Sequence, residues 1–268
     1  MLIRLGYDLI FEAPAPTPML LLLSTHPSRA ASHIRPDNLC VEPIVRRDDF
    51  VDRFGNRCTR VVAPAGRVRF WNDTEVQDFG QPDPFHPNAV QLPVEDLPPD
   101  VLPFLLASRY CEVDCLSDVA WNLFNNSPTG WGRVQAVCDW VHNNVRFGYA
   151  FARPTKTAHD VYTERAGVCR DFTHLAITFC RCMNIPARYA TGYLGDIGVP
   201  LSDAPMDFSA WFEAFLGGEW HTFDARHNVP RIGRVLMAYG RDAVDAALTT
   251  SFGPTTLTQF KVWTDEVV

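Results

Sequence analysis

Three short stretches carry residues that could do chemistry: Gly-Val-Cys-Arg-Asp-Phe (167–172), Ser-Ala-Trp-Phe-Glu-Ala (209–214) and Thr-Phe-Asp-Ala-Arg (222–226). A cysteine acts as a nucleophile through its thiolate, and the unpaired N–H groups and dipole at a helix N-terminus favour that anion. After Cys169, apolar residues recur at Phe172, Leu175, Ala176, Phe179 and Met183, and Pro186 follows. This spacing predicts a helix with one buried face and with Cys169 in its first turn. The competing reading of Cys169 is a small, inert core residue, because free cysteines are often buried.

The other two stretches predict a β-hairpin. Gly217-Gly218 suits a two-residue turn, which sets residue 209 opposite 226 and 211 opposite 224. Ser209 and Asp224 then share a face as diagonal neighbours, within reach of one long side chain. His221 falls on the opposite face of its strand, and His174 lies about 140° around the helix from Cys169. His227 lies past the strand end, where no strand position fixes its ring, so it is not expected to serve as a base. His142 and His159 read as ordinary surface or core histidines.

The elements that must position these residues follow from the rest of the chain. Residues 1–80 hold apolar or alternating runs at Leu2–Phe11, Leu20–Leu23, Cys40–Val45, Arg57–Val62 and Arg67–Trp71, with a turn at 52–56. Such runs predict a small β-sandwich or barrel. Residues 81–103 contain seven prolines and read as a linker. Residues 104–268 read as a catalytic domain. Helical patterns begin at Val101–Phe124, continue at Gly132–Val145 and Ala158–Arg165, and end with the cysteine helix. Strands are expected at Ala187–Leu194, Phe208–Leu216 and Trp220–Ala225, then a helix near Arg241–Leu248 and a last strand near Phe260–Trp263. Helices followed by antiparallel strands describe an α+β fold.

Composition narrows the function classes. The 268 residues carry a net charge of −7, with no basic footprint of the kind nucleic acid requires. No apolar run approaches the roughly 20 residues of a membrane helix, so neither nucleic acid nor membrane is expected as a partner, and a cytoplasmic location is expected. Eight scattered cysteines read as free thiols, and no pair of them is matched by a second pair at metal-ligand spacing. Neither a metal nor a cofactor is expected, and the oligomeric state is left open.

The three stretches, with Ile-Pro-Ala-Arg-Tyr-Ala-Thr-Gly-Tyr-Leu (185–194), resemble the bacterial transglutaminase-like superfamily. The resemblance covers roughly 101–268, and the first 80 residues are similar to the β-rich domain that often precedes it. It implies a papain-like core with a Cys-His-Asp triad: Cys169 the nucleophile, Asp224 the carboxylate that orients the base. The family's His-Ala-Trp reads Ser209-Ala210-Trp211 here, so the base position holds a hydroxyl. Three readings stay open: an engineered inactive enzyme, a natural pseudoenzyme or peptide-binding module, and an enzyme with a displaced base. The chemistry implied is a thioester acyl-enzyme formed on a peptide or isopeptide amide, with hydrolysis favoured over transfer to an amine. Asp224 is expected to have lost its imidazole partner. Trp211 and Tyr193, with Trp131 and Tyr149, are candidates to line the substrate cleft.

Overall fold

The computed structural model describes residues 1–201 and 205–267. One layer is two four-stranded sheets. The first runs in the order Thr256–Val267, Leu2–Ala13, Gly66–Gln77, Cys40–Glu42, and the second Thr249–Ser251, Thr17–Leu21, Arg57–Ala63, Arg47–Val51. Ile3, Leu5, Met19, Leu21, Val61 and Phe70 enter one shared core from both sheets, as alternating strands that bury one face require.

These sheets draw on both ends of the chain, which the expected division at 80 and 103 does not follow. Thr256–Val267 lies antiparallel to Leu2–Ala13, with Leu5 opposite Thr264 and Tyr7 opposite Val262. The short strand expected near 260–263 is therefore a twelve-residue strand of the N-terminal layer. A strand with one buried face still needs partners for its backbone groups on both edges, and this one supplies the second edge of Leu2–Ala13. The Pro-rich stretch 81–103 is not a free spacer: the carbonyl of Val90 accepts from Gly217 N–H and that of Ala89 from Trp131 N–H.

The second layer holds four helices, α1 (Val113–Phe124), α2 (Trp131–Asn144), α3 (Ala158–Glu164) and α4 (Cys169–Cys182), against an antiparallel sheet. That sheet runs in the order Glu219–Phe223, Ser209–Leu216, Ala187–Tyr193, Val235–Gly240. The α+β core with a helix-borne cysteine packed on antiparallel strands is therefore as expected. The helical pattern from Val101 breaks into a 3-10 turn at Leu102–Leu105, ended by extended backbone at Leu106, and α1.

No helix forms near 241–248. Asp242 accepts from the N–H groups of Tyr110 and Val244, and Asp245 accepts from the N–H and guanidinium of Arg241. Short acidic side chains here satisfy backbone donors that a helix would otherwise use.

α4 is buried nearly all round. Its Arg181 donates to the carbonyls of Leu106, Ala187 and Arg241, tying the helix end to three separate segments. A buried guanidinium must have its donors met in this way.

Candidate active site

α4 begins at Cys169 itself, so the thiol sits where the first helical N–H groups are unpaired. The backbone is held there by Asp171, whose carboxylate accepts from Val168 N–H and from the Arg170 guanidinium. Gly167 makes this possible: a Cβ on it would lie 2.6 Å from Cβ of Asp171. The sequence Gly-Val-Cys-Arg-Asp is thus a cap in which the glycine gives space to the aspartate.

The surroundings of the thiol shift it upward, opposite to the direction expected from its helix position. Burial pushes it up to about 11, and the charge of Asp207 adds to this, against the pull of Arg226 and of the N–H groups of Ala210 and Arg170. The Arg170 side chain is spent on Asp171 and on the Arg153 carbonyl. Cys169 opens into a cleft of about 740 Å³, walled by Tyr149, Asp207, Phe208 and Ser209 among others. Thr250 and Phe260, from the strands paired with the N-terminal layer, also line it, so both layers build the cleft.

The hairpin has the expected register. Phe212 pairs with Phe223 and Leu216 with Glu219, and both turn glycines have positive φ, 62° at Gly217 and 95° at Gly218. Ser209 starts its strand opposite Gly192. Its hydroxyl is buried and makes no hydrogen bond.

Asp224 is not orphaned, as had been expected, and it is not bonded to Ser209. The strand ends at Phe223 and the chain turns, so that Oδ1 of Asp224 accepts from the N–H groups of Arg226 and His227. The same turn brings Nδ1 of His227 to 2.8 Å from Oδ2, and the Arg234 guanidinium lies 2.9 Å from that oxygen. Burial alone would push the Asp224 carboxyl up. Arg234 and His227 outweigh it and hold the group well below the ordinary carboxylate range.

Arg234, which sequence reasoning missed, also pairs with Asp83 of the Pro-rich stretch and stacks over Trp211, 5.1 Å from its ring. The distance of 141 residues between Asp83 and Asp224 hides this bridge from a linear reading.

His227 faces a small cavity of about 70 Å³, and Tyr149, Asp207, Phe208 and Ser209 line both this cavity and the Cys169 cleft. Ser209 thus stands in the partition between thiol and imidazole, where a larger side chain would take up the space.

The remaining candidates divide. Tyr149 lines the cleft, but Trp211 and Tyr193 do not: Trp211 packs with Ala190 and Leu236, and Tyr193 with Phe208 and Val235 in the core of the N-terminal layer. Trp131 packs 4.5 Å from the Phe223 ring. The other histidines face elsewhere. His174 accepts from Ala243 N–H and stacks on Tyr110, and His221 bonds the Leu216 carbonyl. Among the described residues no group of three His, Cys, Asp or Glu could hold a metal ion, and no helix is long and apolar enough to cross a membrane.

Residues 118–225 match the model of the transglutaminase-like superfamily. A structure of a putative cysteine protease from Cytophaga hutchinsonii is similar over 99% of this chain and 90% of that one, at 34% identity and a TM-score of 0.84. An uncharacterized protein of Mycobacterium leprae is 30% identical over 121 residues, and the match spans 42% of this chain and 42% of that protein. The periplasmic domain of TgpA from Pseudomonas aeruginosa, bound to ethylmercury, gives a TM-score of 0.42 at 14% identity over 84% of this chain and 73% of that one. The segment matched to the family model contains the Cys169 helix and the hairpin that ends at Asp224, and the chain belongs to the transglutaminase-like superfamily.

Proposed function

We propose that this chain is a cysteine enzyme that cleaves peptide or isopeptide amides through a thioester, with Cys169 as nucleophile and His227, oriented by Asp224, as the base. The observation that carries the reading is the 2.8 Å contact between Asp224 and His227 in a cavity that shares its wall with the Cys169 cleft. An aspartate on Nδ1 fixes the tautomer so that Nε2 is free to accept a proton, and it stabilises the imidazolium that results.

The steps balance with these groups alone. Sγ of Cys169 gives its proton to the imidazole and attacks the amide carbon. The C–N bond breaks as the imidazolium protonates the leaving amine. Water then loses a proton to the imidazole, attacks the thioester carbon and displaces the thiolate, which takes the proton back. Hydrolysis is the default outcome because water is always present in excess. The Ser209 hydroxyl has no part in proton transfer, since it cannot hold the charge. A cytoplasmic location goes with this reading, because free thiols such as the eight here suit a reducing compartment.

A second reading is a non-catalytic peptide-binding cleft. The thiol's elevation to about 11 favours it, as does the serine at the family's histidine position. The two are separated by turnover of a panel of peptide and isopeptide amides by the parent chain, Cys169→Ala and His227→Ala. Turnover by the parent that both substitutions abolish supports the enzyme. Saturable peptide binding with no turnover by any of the three supports the binding cleft.

A further inference from the structure

The charges around the cleft are unevenly spent. Arg153, Arg170 and Asp207 are the charged residues that line it. Arg153 is paired with Asp160 and Glu164, and Arg170 with Asp171. Asp207 forms no ion pair among the described residues. Its carboxylate accepts from Phe208 N–H and feels the charge of Arg226, whose guanidinium stacks 3.9 Å from the Phe147 ring and makes no ion pair with it. A partly buried carboxylate left in this state costs free energy that a bound cation recovers.

We infer that Asp207 is a specificity-determining residue that selects an acyl substrate whose side chain carries an ammonium or guanidinium group close to the scissile amide. Asp207 shares the cleft wall with Cys169, lies two residues before Ser209 in the chain, and on its other side borders the small cavity that Arg226, His227 and Arg231 also line. The inference rests on the reading of Cys169 as the nucleophile. It assigns the cation to the acyl substrate and not to an incoming amine, because an amine held as an ammonium by a carboxylate has no lone pair with which to attack. Charge makes the selection double. The Asp207 carboxylate adds to the burial that opposes ionisation of the thiol, so a cation seated on it both anchors the substrate and removes that added field. An acidic side chain in the same place would meet repulsion and leave the thiol neutral.

The test needs no turnover. Three iodoacetamides of equal length, ending in an ammonium, a hydroxyl or a carboxylate, are reacted with the full chain at neutral pH. Labelling of the Cys169 peptide is followed by mass spectrometry and normalised to each reagent's rate with a small free thiol. The expected result is Cys169 alkylation about tenfold faster by the ammonium reagent than by the carboxylate one, a spread set by one charge pair across a partly desolvated cleft. Asp207→Asn should erase the spread and Asp207→Glu should retain most of it, which separates loss of charge from loss of fold. Equal rates for the three reagents in the parent overturn the inference, as does a spread that survives Asp207→Asn. If the Cys169 peptide is still alkylated in those cases, the nucleophile reading stands without it. If no reagent labels Cys169 in any variant, even near pH 11 where the other exposed thiols label fully, both fall.

Discussion

Asp224 and His227 form a carboxylate–imidazole pair, Oδ2 to Nδ1 at 2.8 Å, with the carboxylate buried and the ring partly exposed, although the two residues do not lie on one strand. The pair exists because the hairpin strand stops at Phe223 and the turn that follows is closed by Asp224 itself, through the N–H groups of residues 226 and 227. One side chain both makes the turn and receives the ring that the turn delivers. The proposed base therefore lies on the loop that follows the strand, and not at strand position 209.

Exchanging the two positions tests that replacement. His227→Ala is expected to lower amide turnover by about 10² to 10⁴, the usual worth of a general base. Ser209→His placed in that background is expected to recover at least about tenfold of it, since Ser209 lines both the Cys169 cleft and the cavity that His227 faces. Cys169→Ala should abolish turnover in every background. Turnover by His227→Ala equal to the parent's would remove His227 from the mechanism.

Part of this site could be read from the sequence and part could not. Gly217-Gly218 at a hairpin tip and the periodicity after Cys169 are local signals, and both elements stand where they were expected. Strand geometry does not predict the contact of His227 with Asp224, because the strand ends before either residue. The pattern Asp-x-x-His with Asn228 next, at φ 53°, is the signal that could have found it, because aspartate commonly closes turns onto N–H groups two and three residues on. Arg234 and its link to Asp83 could not be found this way, nor could the pairing of Thr256–Val267 with Leu2–Ala13. Both depend on contacts across long separations that no local pattern encodes.

The resting state of the thiol gives a pH test. With Cys169 raised to about 11 from an ordinary 9.0, alkylation of its peptide by neutral iodoacetamide should reach half its maximal rate well above pH 9. The sign for stability follows from the same shift. The folded protein holds this proton more tightly than the unfolded chain, so the contribution is complete below pH 9 and is lost as pH rises towards 11. A half-maximum near or below pH 8 would mean a thiolate already stabilised in the free protein, with no need for a base at rest.

Arg234 should matter to the fold as well as to the site. It is the cation between the buried carboxylate of Asp224 and that of Asp83, and Arg234→Ala leaves the former with only His227 opposite it. Removing one partner of a buried pair typically costs about 3–5 kcal/mol, which a urea titration would read as a lower midpoint. The Asp224 carboxyl is held below its ordinary 3.8. Its contribution to stability is therefore present above that pH and is lost as pH falls below it, so the parent should lose stability on acidification through this range more steeply than Asp224→Asn. Parallel pH profiles for the two would mean the carboxylate's charge contributes nothing.

The glycine before the nucleophile offers the most local test. Gly167→Ala puts a methyl group 2.6 Å from Cβ and 2.8 Å from Oδ2 of Asp171, distances at which something must move. The backbone at Gly167 is held by its pairing with Phe147, and α4 by its burial, so the Asp171 side chain is the part that can give. Its movement breaks the bond to Val168 N–H and releases Arg170. Overpacking of this kind costs about 1–3 kcal/mol, and the start of α4 should loosen while its apolar face stays packed. The expected result is a modest drop in melting temperature together with a loss of amide turnover out of proportion to it, with hydrogen exchange raised at residues 168–171 and unchanged at 175–182. Unchanged turnover with raised exchange at those first residues would mean that Cys169 does not depend on this cap for its position.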